Sequence, residues 1–265
     1  MTDLTNERFQ TLVATVDALI ESCGSRDFRD VLKKFSKQLG DVFVFDLGTI
    51  VGFATHHGKM PVIALHSKLQ NTPWFQFTGW HELEHILDGD VGQNAGPPMQ
   101  DYGVFQHDVY DKRIPENELK CNLISAHVNV DTDAVLDMIC YNSPTMREYR
   151  ELKEALQNAK QKIWNILDSI DRNNPSRSSL VRLNNLKRDI ESMTDSLEAL
   201  QYELTDMDAF KSFATMAREL NVPERILKYK LEALRLLDYD IDPQELEDYG
   251  TMFEDATESR EYYDE

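Results

Sequence analysis

Two histidines four residues apart, His81 and His85, stand in the stretch FTGWHELEHILDGD, with Glu82 directly after the first. On a helix, residues at this spacing share one face, so both imidazoles can offer a nitrogen to a single ion. Glu82 is turned roughly 100° from His81. It is too far round to be a third ligand beside them, but it can reach a water held by that ion. Zinc lowers the pKa of its water to about 7, where a nearby carboxylate can take the proton. An H-E-x-x-H pattern supplies this division of labour. The competing reading is a charged helix face that happens to contain two histidines.

The surrounding elements can position such a site. Thr72-Pro73 reads as a helix start, with Thr72 as N-cap and Pro73 in the first turn, and Gly89 as the stop. Upstream, DVFVFD, TIVGFAT and MPVIALH are short β-branched or aromatic runs, read as three strands of a small antiparallel sheet with a turn at HHGK. The last of them is expected to be an open edge, along which a peptide could lie as an added strand. Helical spacing covers residues 4–21 and 26–39, with Gly40 as a stop. Residues 89–115 form a long glycine- and proline-rich loop. Pro115 opens a helix through ENELKCNLISAHV, followed by a shorter one from Thr132 to about Tyr141. Its carboxylates Glu116 and Glu118 could each close a metal site. The fold class is α+β.

WHELEHIL followed by ENELKCNLISAHVNVD resembles the ImmA/IrrE family of metallopeptidases, cytoplasmic enzymes of bacteria and their mobile elements. That family has a His-Glu-x-x-His helix, then a helix of the form E-x-x-A-N-x-F-A-A-x-L-L-x-P. Glu118 takes the leading glutamate, Cys121 the small residue, Asn122 the asparagine, Ile124 the phenylalanine, and Ser125-Ala126 the two alanines. Glu84 replaces a usual glycine, and Val128-Asn129-Val130-Asp131 replaces L-L-x-P. The resemblance covers about 28–140 clearly and 207–237 loosely. It implies a zincin-like core, His81, His85 and Glu118 as zinc ligands, and Glu82 as base. Manganese or iron would suit the same donors. It also implies a narrow protein target, often a helix-turn-helix repressor of a mobile element or stress response. The alternatives are a weakly catalytic or non-catalytic partner-binding regulator, and the toxin of a toxin–antitoxin pair, on the same scaffold.

Weaker candidates surround these residues. His107 and Tyr110, in the long loop, could donate to the oxyanion of a tetrahedral intermediate. His66 ends a strand near the site and could contact substrate. Glu116, just after Pro115, suits a helix N-terminus. Asp88 could end the helix or orient a ligand imidazole. His127 reads as structural, and His56 and His57 as solvated turn residues. Trp74, Phe75, Phe77 and Trp80 read as packing faces of the motif helix.

The remainder is charged and largely helical, and its hairpin is expected to recognise a partner or regulate access, while the acidic end reads as a solvated tail. Residues 144–171 and 178–204 are charged helical segments with apolar stripes at threes and fours, expected to bury against each other as an antiparallel hairpin. MARELNVPERILKYKLEALRLL has helix-turn-helix spacing, with six bases against three acids over 211–235. The organisation expected is a core at 1–143, an inserted hairpin at 144–204, a helical module at 205–237 and an acidic tail at 238–265. That tail holds twelve acids and one base, Arg260, within a chain of net charge −19. Such a field disfavours direct nucleic-acid binding. Cys23, Cys121 and Cys140, with no CxxC pair, suit free thiols in a reducing cytoplasm. No run is apolar enough for a membrane span, and the N-terminus lacks the features of a signal peptide.

Overall fold

The computed structural model describes residues 6–89, 91, 114–169, 176–207, 209, 211–246 and 248. They form two compact units. One joins Met1–Thr132 with Phe213–Glu247, and the other is centred on Asp133–Ser212. None of the described helices is long and apolar enough to cross a membrane.

The first unit begins with α1 (Asn6–Cys23), which buries Phe9, Val13 and Val16 at spacings of four and three. Asp27 caps α2 (Phe28–Lys34) by accepting the Arg29 N–H. The single helix expected over 26–39 is interrupted at Phe35, where φ −108° and ψ 23° leave the helical region, and resumes as α3 (Ser36–Leu39). Both pieces touch the motif helix, but α2 also packs on α1 and β1, and α3 on the last strand.

The sheet corrects the sequence expectation. Its strands β1 (Asp41–Phe45), β2 (Gly52–His57) and β3 (Met60–His66) lie in the order β1-β3-β2. β2 pairs antiparallel with β3, but β1 pairs parallel with it, so the sheet is mixed. A simple meander would put β2 in the middle. Instead β3, whose Ile63, Ala64 and Leu65 are buried, takes the central place. Residues 46–59, β2 included, supply the dozen or so that a parallel crossover requires. His66 fastens this crossing: its Nδ1 accepts from Lys68 N–H and its Nε2 lies 3.1 Å from Gly48 O. β3 is therefore not an open edge, and no strand can be added along MPVIALH. Among the described residues, the open edge beside the motif helix belongs to β2. The bond from His66 N–H to Val51 O sets the parity of the ladder. Phe53, Thr55 and His57 bond to β3, while Gly52, Ala54 and His56 turn their amides and carbonyls outward.

The motif lies on α4 (Pro73–Leu87). Pro73 occupies the first turn as expected. Thr72 does not cap with its side chain; its hydroxyl donates to Leu69 O at 2.7 Å. The helix is buried from Phe77 to His85 without a polar face because the sheet, α2 and the following helix cover it. Gly79 makes the α2 contact possible: a Cβ there would stand 2.4 Å from the Phe28 ring. Gly79→Ala is expected to push that ring aside and lower stability by about 1–3 kcal/mol, read as a lower urea midpoint. An unchanged midpoint would show that α2 yields freely.

Across α4 lies α5 (Glu116–Asn129), and α10 (Glu224–Leu236) backs α5, with α9 (Phe213–Glu219) packed on α10. α9 and α10 belong to the compact unit that holds the motif. Fully buried Lys230 on α10 explains part of this: its Nζ donates to His127 O and Thr132 Oγ1 at the negative end of α5.

The second unit contains α6 (Thr132–Met138, from its second residue on), α7 (Pro144–Ser169) and α8 (Arg177–Asp206). Thr145 bonds Glu203 and Tyr149 bonds Gln201, so α7 and α8 run antiparallel. Their stripes bury only in part. Met146, Tyr149, Leu156 and Ala159 are enclosed on α7, but only Leu204 on α8. Two helices alone cannot cover a stripe that is wide enough for a bundle.

Candidate metal centre

α4 and α5 bring their polar residues together inside the first unit. His81 and His85 face α5, and their Nε2 atoms lie 3.2 Å apart. On α5, Glu118, Cys121 and Asn122 fall at i, i+3 and i+4, one face of the helix. Glu118 Oε2 is 3.2 Å from His81 Nε2, and Oε1 is 3.6 Å from His85 Nε2. His81 Nδ1 lies 3.0 Å from Asn122 Oδ1. That oxygen can only accept, so Nδ1 carries a ring proton and Nε2 is the nitrogen turned toward the other donors. It faces a carboxylate and a second imidazole. Donors that converge in this way fit a cation.

The electrostatics agree. Burial raises the Glu118 pKa, but bonds from His81 and His85 outweigh it and hold the carboxyl well below its ordinary range, as an anion. Glu82 is 3% exposed, and burial raises its pKa. The charges of His81 and His85 and the Ala54 N–H oppose that rise only in part. The Ala54 amide is one of those that β2 turns outward, so the open edge of the sheet faces Glu82. Gly52 lets β2 lie close on α4, since a Cβ there would come 2.7 Å from Thr78 Cγ2 as well as 3.3 Å from Glu82 Oε1.

Cys121 adds a donor. His81, His85 and Cys121 form a buried group whose ligand atoms lie within 4.8 Å of one another and could hold a metal ion. The two candidate third donors, Cys121 and Glu118, stand on different sides of His85. Cys121 Sγ is 3.6 Å from Nδ1, the ring nitrogen opposite the one that faces His81 and Glu118. Burial, reinforced by Glu84, raises the Cys121 pKa well above its usual value, so it is a neutral thiol.

No family model, curated protein or solved structure matches this chain. The site therefore rests on its own geometry.

The other sequence candidates divide clearly. Glu116 turns away to Arg8, at 3.4 Å. Asp88 pairs with Lys120 and, at 3.7 Å, with Arg8; it orients no imidazole. His66 is 3% exposed, with both ring nitrogens engaged in the crossing loop rather than offered to a substrate. His127 bonds Asp17 at 3.2 Å, a structural place. Phe75, Phe77 and Trp80 are core residues, and Trp80 Nε1 donates to Arg26 O. His107, Tyr110 and the tail beyond 248 lie outside the described residues.

Two residues were missed. Cys121 was matched only as a small residue, although its i+3 spacing from Glu118 placed it on the same face. Tyr229 had no local signal. Its hydroxyl accepts from Asn122 Nδ2 at 3.3 Å, across 107 residues of sequence. The chain His81–Asn122–Tyr229 thus orients the ring from outside the donor set. Asn122→Ala is expected to weaken metal binding about 10–100-fold, measured by competition with a chromogenic chelator. An unchanged affinity would remove Asn122 from the site.

Proposed function

We propose that this chain is a zinc-dependent endopeptidase of the ImmA/IrrE type, with His81, His85 and Glu118 holding the ion and Glu82 acting as general base. The observation that carries this reading is the convergence of two Nε2 atoms and an anionic carboxylate beside a buried glutamate. Zinc, when bound, supplies a Lewis acid for water and for the scissile carbonyl. Glu82 accepts the proton of the attacking water and returns one to the leaving amine. A raised proton affinity suits both halves of that task.

The substrate is a peptide segment laid against β2, not β3. The outward amides and carbonyls of Gly52 and His56 and the carbonyl of Ala54 offer it ladder partners, while the Ala54 N–H is engaged by the base itself. The target we favour is a helix-turn-helix repressor, the substrate class that the resemblance implies. Direct nucleic-acid binding is not part of the reading. α10, where a recognition helix would lie, is buried at Ile226, Leu227, Tyr229, Lys230, Leu231 and Ala233. A cytoplasmic location belongs to the same proposal.

The test is incubation of the purified protein with the transcriptional regulator encoded beside it, with and without zinc, read by intact-mass spectrometry. A single new pair of fragments that a chelator abolishes is expected. A regulator that binds tightly and stays intact would replace the peptidase reading with that of a binding protein.

A further inference from the structure

The charges of α8 are sorted by position. Arg177, Arg182, Lys187 and Arg188 fill its first twelve residues with no acid among them. From Asp189 to Asp206 there are six acids and no base. This order opposes the helix macrodipole, which favours acids in the first turn and bases in the last. Arg177 opens the helix, and Glu203 and Asp206 close it. The arrangement costs the isolated helix stability, and α7 does not offset it. The half of α7 beside the basic end of α8 carries Lys160 and Lys162 against Asp168 alone. The hairpin over 155–190 is net +4, and its other half, 144–154 with 191–206, is net −5.

Apolar surface follows the same division. Trp164 and Leu167 on α7 and Leu180 and Val181 on α8 are exposed at the basic end. Tyr202 and Met207 are exposed at the acidic end. Between them the stripe of α8, including Leu186, Ile190 and Leu197, is only half-buried.

We propose that the hairpin is a dimerisation element, in which a second copy packs antiparallel so that each basic tip covers its partner's acidic base. Only this occupant answers every feature. A nucleic acid or an acidic peptide would match the basic end and be repelled by the other. A second hairpin, turned by a two-fold axis, matches both ends at once and closes the symmetry. It also covers the half-buried stripe, completing a four-helix bundle. A 30-residue helix is about 45 Å long and about 10 Å across. The footprint of a two-helix face is then roughly 900 Å², close to the ~800 Å² per partner of a stable interface. The inference stands apart from the peptidase reading, because no metal ligand lies in this unit.

The experiment is sedimentation equilibrium on the full chain at low and high salt. Wild type is expected to be a dimer that weakens as salt rises. Arg182→Glu with Lys187→Glu and Arg188→Glu should raise the dimer Kd at least ~10-fold, with helical circular dichroism unchanged. Glu191→Lys with Asp195→Lys and Glu198→Lys should do the same. Mixing the two triple variants should restore dimers, now heterodimeric. A monomeric wild type at low salt would overturn the proposal, as would a dimer that both triple variants retain or a mixture that stays monomeric. A monomer that binds an RNA or DNA oligonucleotide and loses it in the first triple variant would reassign the tip to nucleic acid.

Discussion

Glu82→Gln should keep its zinc and lose peptide cleavage about 100- to 10,000-fold, the range that a general base contributes. The substitution is nearly isosteric. Its amide oxygen can still accept the Ala54 N–H, so the β2–α4 contact survives. It cannot take a proton from water. Metal content by atomic emission and single-turnover cleavage, measured on one preparation, separate the two properties. Near-normal cleavage with full metal would remove Glu82 from the chemistry. Loss of the metal along with cleavage would make Glu82 a ligand instead.

The second large effect concerns the third ligand. Glu118→Ala should weaken zinc binding at least ~100-fold, since outer partners alone are worth about 10–100-fold. Cys121→Ser should change it far less, because the sulfur faces His85 Nδ1 and not the point where the two Nε2 atoms meet. Glu116→Ala should have no effect on affinity, since that carboxylate pairs with Arg8. Cobalt-substituted protein adds a spectroscopic check. A thiolate ligand gives an intense near-ultraviolet charge-transfer band that a carboxylate does not. That band in wild type, with tight binding in Glu118→Ala, would move the ion to the sulfur side.

The sequence announced α4 and α5 well because each carries local signals. Pro73 and Gly89 bound one, Pro115 opens the other, and the i,i+4 histidines report a helical face directly. The sheet was harder. β1, β2 and β3 were legible as strands, but alternation says nothing about which strand is central, and the parallel pairing depends on a crossing held by His66. The role of Asp88 was hidden for a related reason: its partners Lys120 and Arg8 come from α5 and α1. Tyr229 was beyond reach, since nothing in KYKLEALRL marks a tyrosine that supports a histidine on another helix. The hairpin stripes were read correctly as apolar, but periodicity alone cannot show whether one partner helix is enough to cover them.

The bond between Asn122 and Tyr229 also has a consequence in time. During synthesis α4 and α5 leave the ribosome long before α10, with 107 residues separating the two partners. At about 5–20 residues per second, that interval lasts roughly 5–20 s. Through it Asn122, which supports His81, lacks Tyr229, and the carbonyl end of α5 lacks Lys230. A nascent chain thus carries His81, His85, Glu118 and Asn122 before α10 can dock behind them, and the donor set gains this outer hydrogen bond only when it does.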